Sequence, residues 1–293
     1  MSDPADESRY GMRRGDTLQR EDVDYEAEYN NRARVPEHPS IIEGWARDAK
    51  AHREANPPLR IRYGPSERQF IDFFHAAEPG HAAATLLFIH GGYWQNLDPS
   101  FFSHMARGPT ARGLNVGIAG YDLCPTVRIG DIVEELRCAC RELARFERTL
   151  VVAGHSAGGH LAACMLGTSW PTVDHKLPKD FVGAAYAISG LFDLQPLVPT
   201  SINKALGMDE DEAELMSPLF WAPPVGLCLD AVVGGDESRE YLRQSRTIAE
   251  RWAAAGVRTR FEAVPGANHF TVINPLAEPG SAMTKRLAEL ARV

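Results

Sequence analysis

The stretch Val151-Val152-Ala153-Gly154-His155-Ser156-Ala157-Gly158-Gly159 decides the fold of this chain. An apolar run ends at Ala153, a G-x-S-x-G pentapeptide follows at once, and the small-residue segment 160–166 continues as a predicted helix. Strand, sharp turn and helix form the setting in which this pattern presents a serine as a nucleophile. The demand is steric. A serine on a strained turn needs neighbours without bulk two residues before and two after it. Gly154 and Gly158 stand at those positions. The bland alternative is a strand-to-helix turn of small residues with no chemistry.

On either side of this turn, strands alternate with helices. Residues 59–63 and 70–74 read as a hairpin around Gly64-Pro65. Residues 84–89 form an apolar run of the kind buried on both faces of a sheet. Further strands are expected at 115–119, 181–188, 227–233 and 258–264. Helices are expected at 101–111, 129–146, 239–255 and 282–291. In 129–146 the apolar residues Ile132, Val133, Leu136, Ala139, Cys140 and Leu143 recur at helical spacing. Residues 191–221 read as irregular with short helical pieces. The alternation predicts an α/β fold, a mostly parallel sheet with helices on both faces. Such sheets gather their chemistry at the carboxyl ends of the strands.

A serine hydroxyl needs a base to take its proton, and the base needs a carboxylate to hold its tautomer. In one known chain order the serine comes first, then the acid, then the histidine. Ser156, Asp236 and His269 fit that order, with Asp236 and His269 each just after a predicted strand. Asp193 is the second candidate for the acid and Glu237 a weaker one. His175 follows the serine too closely, and the remaining histidines precede or adjoin it. His90-Gly91-Gly92 supplies a glycine turn after a strand. The backbone N–H groups of Gly92 and Ala157, with Gly91, are the expected oxyanion donors. Tyr93, Trp94 and Tyr121 are candidates for an aromatic substrate wall. The bland readings are a turn aspartate, a solvated loop histidine, a tight turn and packed aromatics.

Composition sets the outer limits. The 293 residues suit one large α/β domain or two small ones, and 44% are hydrophobic. A net charge of −8 argues against nucleic acid or an anionic membrane as partner. No apolar run reaches the roughly 18 residues of a membrane span, and the acidic start is unlike a secretory signal. The five cysteines are expected as free buried thiols, which fits a cytoplasmic protein. Residues 1–57 are set apart as an N-terminal extension: a tail over 1–20, a short helix at 22–31, and a helix capped by Ser40. Tyr25 and Tyr29 share one face of the first of these helices. The extension is a candidate cap for a main domain at 58–293. A small-molecule substrate is the expected partner, and a homodimer stays open.

Several segments together resemble one family. They are HGGYW (90–94), Tyr121-Asp122 before Pro125, GHSAGGHLAA (154–163), SGLFDLQPL (189–197) and HFTVIN (269–274). With Ser217-Pro218-Leu219 and Asp236-Glu237-Ser238, they are similar to the α/β-hydrolase form of kynurenine formamidase (arylformamidase). The serine turn is shared by many esterases, whereas HGGYW together with SGLFDLQPL is much more specific. The resemblance implies an α/β-hydrolase fold with a small cap. It implies nucleophile, acid and base at Ser156, Asp236 and His269, and oxyanion glycines at Gly91 and Gly92. The implied reaction is hydrolysis of N-formyl-L-kynurenine to kynurenine and formate, a step of tryptophan catabolism, with no metal or organic cofactor. A general carboxylesterase or aryl amidase would use the same machinery. A non-catalytic receptor on this fold would need no complete triad. The acidic N-terminal extension and residues 126–130 lie outside the resemblance. With so few residues between Gly190 and Leu227, any lid is small or comes from the N-terminal segment.

Overall fold

The computed structural model describes residues 23–77, 84–147 and 149–292; the tail expected over 1–20 lies outside them. Its strands are β1 (Leu59–Arg62), β2 (Phe70–Phe74), β3 (Ala84–Ile89), β4 (Leu114–Ala119), β5 (Leu150–His155), β6 (Val182–Ile188), β7 (Cys228–Gly234) and β8 (Arg258–Val264). They form one sheet in the order β1-β2-β4-β3-β5-β6-β7-β8. The pairs β1·β2 and β2·β4 are antiparallel, and every other pair is parallel. The carboxyl ends of β3, β5, β7 and β8 therefore share one edge of the sheet. The helices are α1 (Tyr25–Tyr29), α2 (Asn31–Arg34), α3 (His38–Ala55), α4 (Arg107–Thr110), α5 (Ile129–Leu143), α6 (Ala157–Leu166), α7 (Trp170–Val173), α8 (Asn203–Leu206), α9 (Glu210–Leu215), α10 (Arg239–Ala254) and α11 (Ala282–Leu290).

Side-chain alternation explains the two-faced core. Leu87 and Ile89 of β3 join one apolar cluster, and Leu86 and Phe88 join the other. In β5, Leu150 and Val152 face the first cluster, and Val151 and Ala153 face the second. Both faces of these strands are buried, which is why they read as continuous apolar runs. Helix α6 is buried along its whole length. Its small residues allow it to lie close to the sheet: a Cβ on Gly159 would stand 2.9 Å from the Ile188 carbonyl oxygen.

Two sequence expectations change in detail. The single helix at 101–111 is instead two 3-10 turns, Pro99–Phe101 and Ser103–Ala106, followed by α4. Pro109 lacks the N–H a longer helix needs. Gly108 lies so close to the C-terminal segment that a Cβ would stand 2.2 Å from the Leu276 oxygen. Helix α3 starts before the expected cap. Pro39 occupies its first turn, and the Ser40 hydroxyl donates to the Glu37 carbonyl at 2.9 Å. Tyr25 and Tyr29 stack at 6.4 Å, as their spacing predicts. Among the described residues all five cysteines are free thiols. No described helix is long and apolar enough to cross a membrane.

Candidate active site

Ser156 sits between β5 and α6 with φ 58° and ψ −119°, a region an L-residue occupies only when its surroundings force it there. Two hydrogen bonds fix this conformation: its N–H donates to the Ile188 carbonyl at 2.8 Å, and its own carbonyl accepts from Gly159 N–H at 2.8 Å. The flanking glycines are obligatory. A Cβ on Gly154 would lie 2.0 Å from the Gly158 oxygen, and one on Gly158 would lie 2.0 Å from the Ile89 oxygen. Ala157 is the first residue of α6, so its N–H has no partner within the helix.

The glycine turn after β3 lies directly against this elbow. A Cβ on Gly91 would stand 3.0 Å from the Ser156 Cβ. Gly92 has φ +114°, and a Cβ there would strike the Asn96 oxygen at 2.2 Å. His90 and Tyr121 brace the turn from below. Their rings stack at 4.3 Å, the Tyr121 hydroxyl donates to the His90 carbonyl at 2.8 Å, and His90 Nδ1 lies 2.7 Å from the Gly91 carbonyl oxygen. Burial holds the His90 pKa down at about 4, so the ring is neutral and the Nδ1–H donates to that carbonyl. Trp94 is buried beneath the same turn with its ring edge-on to His160 at 5.1 Å. Tyr121 and Trp94 are therefore core supports of the turn, which corrects their expected place in a substrate wall. Tyr93 does reach the cavity above the serine.

His269 lies in the loop after β8. Asn268 folds that loop by accepting from the N–H groups of Phe270 at 2.9 Å and Thr271 at 3.0 Å. His155 Nε2–H donates to the His269 carbonyl at 2.8 Å. Burial, together with the neighbouring His269, pushes the His155 pKa well down and keeps its ring neutral. His269 Nδ1 lies 2.6 Å from Glu237 Oε2. The other oxygen of Glu237 accepts from the Ser189 hydroxyl at 2.5 Å and from Gly234 N–H at 2.6 Å. A carboxylate only accepts, so Nδ1 carries the proton and Nε2 is left with its lone pair.

The carboxylate beside His269 is thus Glu237, and the expectation of Asp236 is corrected. The turn after β7 explains the difference. Gly235 N–H donates to the Val264 carbonyl at 2.7 Å and Asp236 N–H to Ala267 at 3.0 Å, which pins the turn against the β8 loop. In that register Asp236 faces solvent and Glu237 is buried. Asp193, the second candidate, is buried elsewhere, its carboxylate accepting from Gln195 N–H at 3.2 Å.

Gly91, Gly92, His155, Ser156 and His269 line one cavity of about 300 Å³. Its other wall comes from the N-terminal helices, with Tyr29, Asn31, Arg32 and Trp45, and from Ser201 and Ile202. Sequence reasoning offered the N-terminal extension as a cap but named none of these residues as lining a cavity. The Tyr93 hydroxyl donates to the Tyr29 carbonyl at 2.6 Å and lies 2.7 Å from the Tyr241 hydroxyl. The Asn31 amide donates to the Tyr241 hydroxyl at 3.0 Å. Burial pushes the pKa of both tyrosines far up, so both hydroxyls stay protonated.

A family model for the alpha/beta hydrolase fold matches residues 86–273. The chain belongs to this family. Within it the chain is a kynurenine formamidase-like hydrolase. It is 28% identical to the kynurenine formamidase of Danio rerio over 240 residues, which is 79% of this chain and 81% of the relative. It is also 28% identical to that of Drosophila melanogaster over 270 residues, 86% and 89% of the two chains. A candidate thioesterase from Silicibacter sp. tm1040 superposes with a TM-score of 0.81 at 32% identity, covering 90% of this hydrolase and 98% of that chain. An esterase of the bacterial hormone-sensitive lipase family shares the fold at a TM-score of 0.63 and 22% identity.

Proposed function

We propose that this hydrolase is a serine hydrolase cleaving aryl formamides such as N-formyl-L-kynurenine, with Ser156, His269 and Glu237 as nucleophile, base and acid. The observation that carries the proposal is the His269–Glu237 pair opening onto the same cavity as a serine held on a strained turn. The names borne by relatives that cover about four-fifths of the chain support the substrate. Helices α1 to α3 act as the cap, since they supply the cavity's outer wall.

In the proposed reaction Ser156 Oγ attacks the formyl carbon while His269 Nε2 takes the hydroxyl proton. Glu237 stabilises the imidazolium that forms. The N–H groups of Gly91, Gly92 and Ala157 receive the oxyanion, and each donor contributes roughly 10²–10³ in rate. His269 then hands its proton to the leaving aryl amine, and a formyl-enzyme remains. Water, deprotonated by the same histidine, attacks this ester and releases formate, which restores the serine. A formyl group carries only a hydrogen where larger acyl groups carry a carbon chain, which suits a nucleophile wedged between a glycine turn and a helix end. Ser156→Ala should lower turnover of N-formylkynurenine by about 10⁴-fold or more while circular dichroism stays that of the wild type. A variant that kept the wild-type rate would refute the assignment.

The likeness at 32% identity to a candidate thioesterase favours a second reading, hydrolysis of small esters or thioesters. Comparing kcat/KM for N-formylkynurenine, longer anilides, short p-nitrophenyl esters and acyl thioesters decides between the two.

A further inference from the structure

The charged side chains along the cavity point to the part of the substrate that lies away from the reacting carbonyl. Ser156 and His269 sit at the buried end. At the solvent end, two exposed residues of opposite charge line the same cavity: Glu26 of α1 and Arg32 of α2. Among the described residues Arg32 is the one lysine or arginine that lines it. We propose that this end of the cavity is a head-group site for an α-amino acid, Arg32 taking the carboxylate and Glu26 facing the ammonium. The inference rests on the aryl formamidase reading for the ring and formyl group, and adds recognition of the zwitterion.

The placement is built into the N-terminal fold. Asp24 caps α1 by accepting from Ala27 N–H at 3.0 Å, and Asn30 caps α2 by accepting from Ala33 N–H at 3.1 Å. Tyr29, between the two charges, is buried and hydrogen-bonded to Glu240 at 2.8 Å and to Gln244 at 2.6 Å. The two charges are therefore carried on a short segment that is anchored at its middle. Glu26 is also fixed from outside the N-terminal helices. Its carboxylate accepts from Ser201 N–H at 2.7 Å and from the Ser201 hydroxyl at 2.5 Å. These hydrogen bonds lower its pKa and keep it an anion. A carboxylate ligand alone would be repelled by Glu26 and a neutral ester would gain nothing from either charge, so the pair selects for a ligand carrying both signs. Trp45 and Phe270 line the same cavity with their rings 6.1 Å apart, a surface suited to an aryl group.

The test uses binding, so its outcome does not depend on which bond the enzyme cleaves. Titration calorimetry on the full chain measures Kd for kynurenine and for 2-aminoacetophenone, which shares the ring and ketone but lacks the amino acid. Wild type should bind kynurenine more tightly. In Arg32→Gln the preference for kynurenine should fall by about tenfold, the low end for a charge-assisted hydrogen bond at an exposed position. Arg32→Lys should restore part of it, and added salt should shrink it in the wild type. Glu26→Gln should weaken kynurenine binding while sparing the deaminated carboxylate analogue. A preference that Arg32→Gln leaves intact, or no preference in the wild type, overturns the head-group site. Failure of the formamidase reading shows separately, as a wild type that binds kynurenine but does not turn over N-formylkynurenine.

Discussion

The two sides of the cavity are built on different principles. One side consists of turns that follow β3, β5, β7 and β8. Their positions are fixed by the sheet register, and their residues are selected by backbone sterics: Gly91, Gly154 and Gly158 stand where a Cβ would collide at 2.7 Å or less. The other side consists of helices before residue 58 together with Ser201 and Ile202, and side-chain hydrogen bonds across more than 200 residues of sequence hold the helices, as between Tyr29 and Glu240. In the proposed mechanism the first side carries the chemistry and the second shapes what enters. A change on the first side should therefore act on rate, and a change on the second on affinity and local order.

The largest effect should come from Glu237, and it separates two neighbouring carboxylates. Glu237→Gln keeps the size of the side chain but can offer His269 an amide N–H, which favours the wrong tautomer. By analogy with the same change in serine proteases, kcat should drop by about 10³–10⁴-fold. Asp236→Asn, at a solvent-facing position, should stay within about threefold of wild type. Steady-state kinetics on one substrate decides this. If the two variants ranked the other way, the β7 turn would have to direct Asp236 inward and Glu237 to solvent.

The same pair shows what a sequence discloses. The serine turn was legible because Gly154 and Gly158 announce a steric constraint that no partner can supply. The strand ends were legible because β3 and β5 are buried on both faces and read as apolar runs. The choice between Asp236 and Glu237 was not, because it depends on which of two adjacent side chains the turn directs inward. Two hydrogen bonds to the β8 segment, which lies later in the chain, set that direction. Trp94 and Tyr121 were placed in the cavity because they adjoin it in sequence, yet their rings serve His160 and His90. The helical wall left little trace beyond the spacing of Tyr25 and Tyr29. Its contacts join residues about 60 and 210 positions apart, and nothing local in a short polar helix says what it will pack against.

The next effect concerns the histidines behind the strand-end turns. Burial holds His90 and His160 at about 4 and His155 well below its ordinary value. The unfolded chain takes up these protons near pH 6.5, whereas the native state resists them. Below pH 6.5 the unfolded state thus binds more protons, and stability falls as pH drops toward 4. Each histidine contributes a slope of up to about 1.4 kcal/mol per pH unit, about 4 kcal/mol per unit for the three. Urea unfolding between pH 5 and 6 measures it. His160→Gln keeps an N–H for the Met216 carbonyl but does not titrate, so it should lower the measured slope by up to about 1.4 kcal/mol per pH unit. A slope unchanged by the substitution would show that His160 is charged in the native state.

The smallest effect tests the wall by itself. The Tyr29 hydroxyl donates to Glu240 and accepts from Gln244. Burial and the neighbouring Glu240 charge push its pKa far up, so the proton it donates stays in place. Tyr29→Phe removes this hydroxyl but keeps the ring packed against Tyr241 at 5.7 Å. Neither former partner is stranded: Glu240 keeps its two hydrogen bonds from Arg243, each at 2.7 Å, and Gln244 still donates to the Asp193 carbonyl at 2.9 Å. The cost should therefore be about 1 kcal/mol rather than the larger penalty of an orphaned charge. Hydrogen exchange locates that loss. Amides of residues 25–35 should exchange faster while those of β5 and β6 keep their protection, because the wall opens locally and the sheet does not. Faster exchange throughout β5 and β6 would mean that the N-terminal helices and the sheet unfold as one unit, and the division between a chemical side and a selecting side would lose its physical basis.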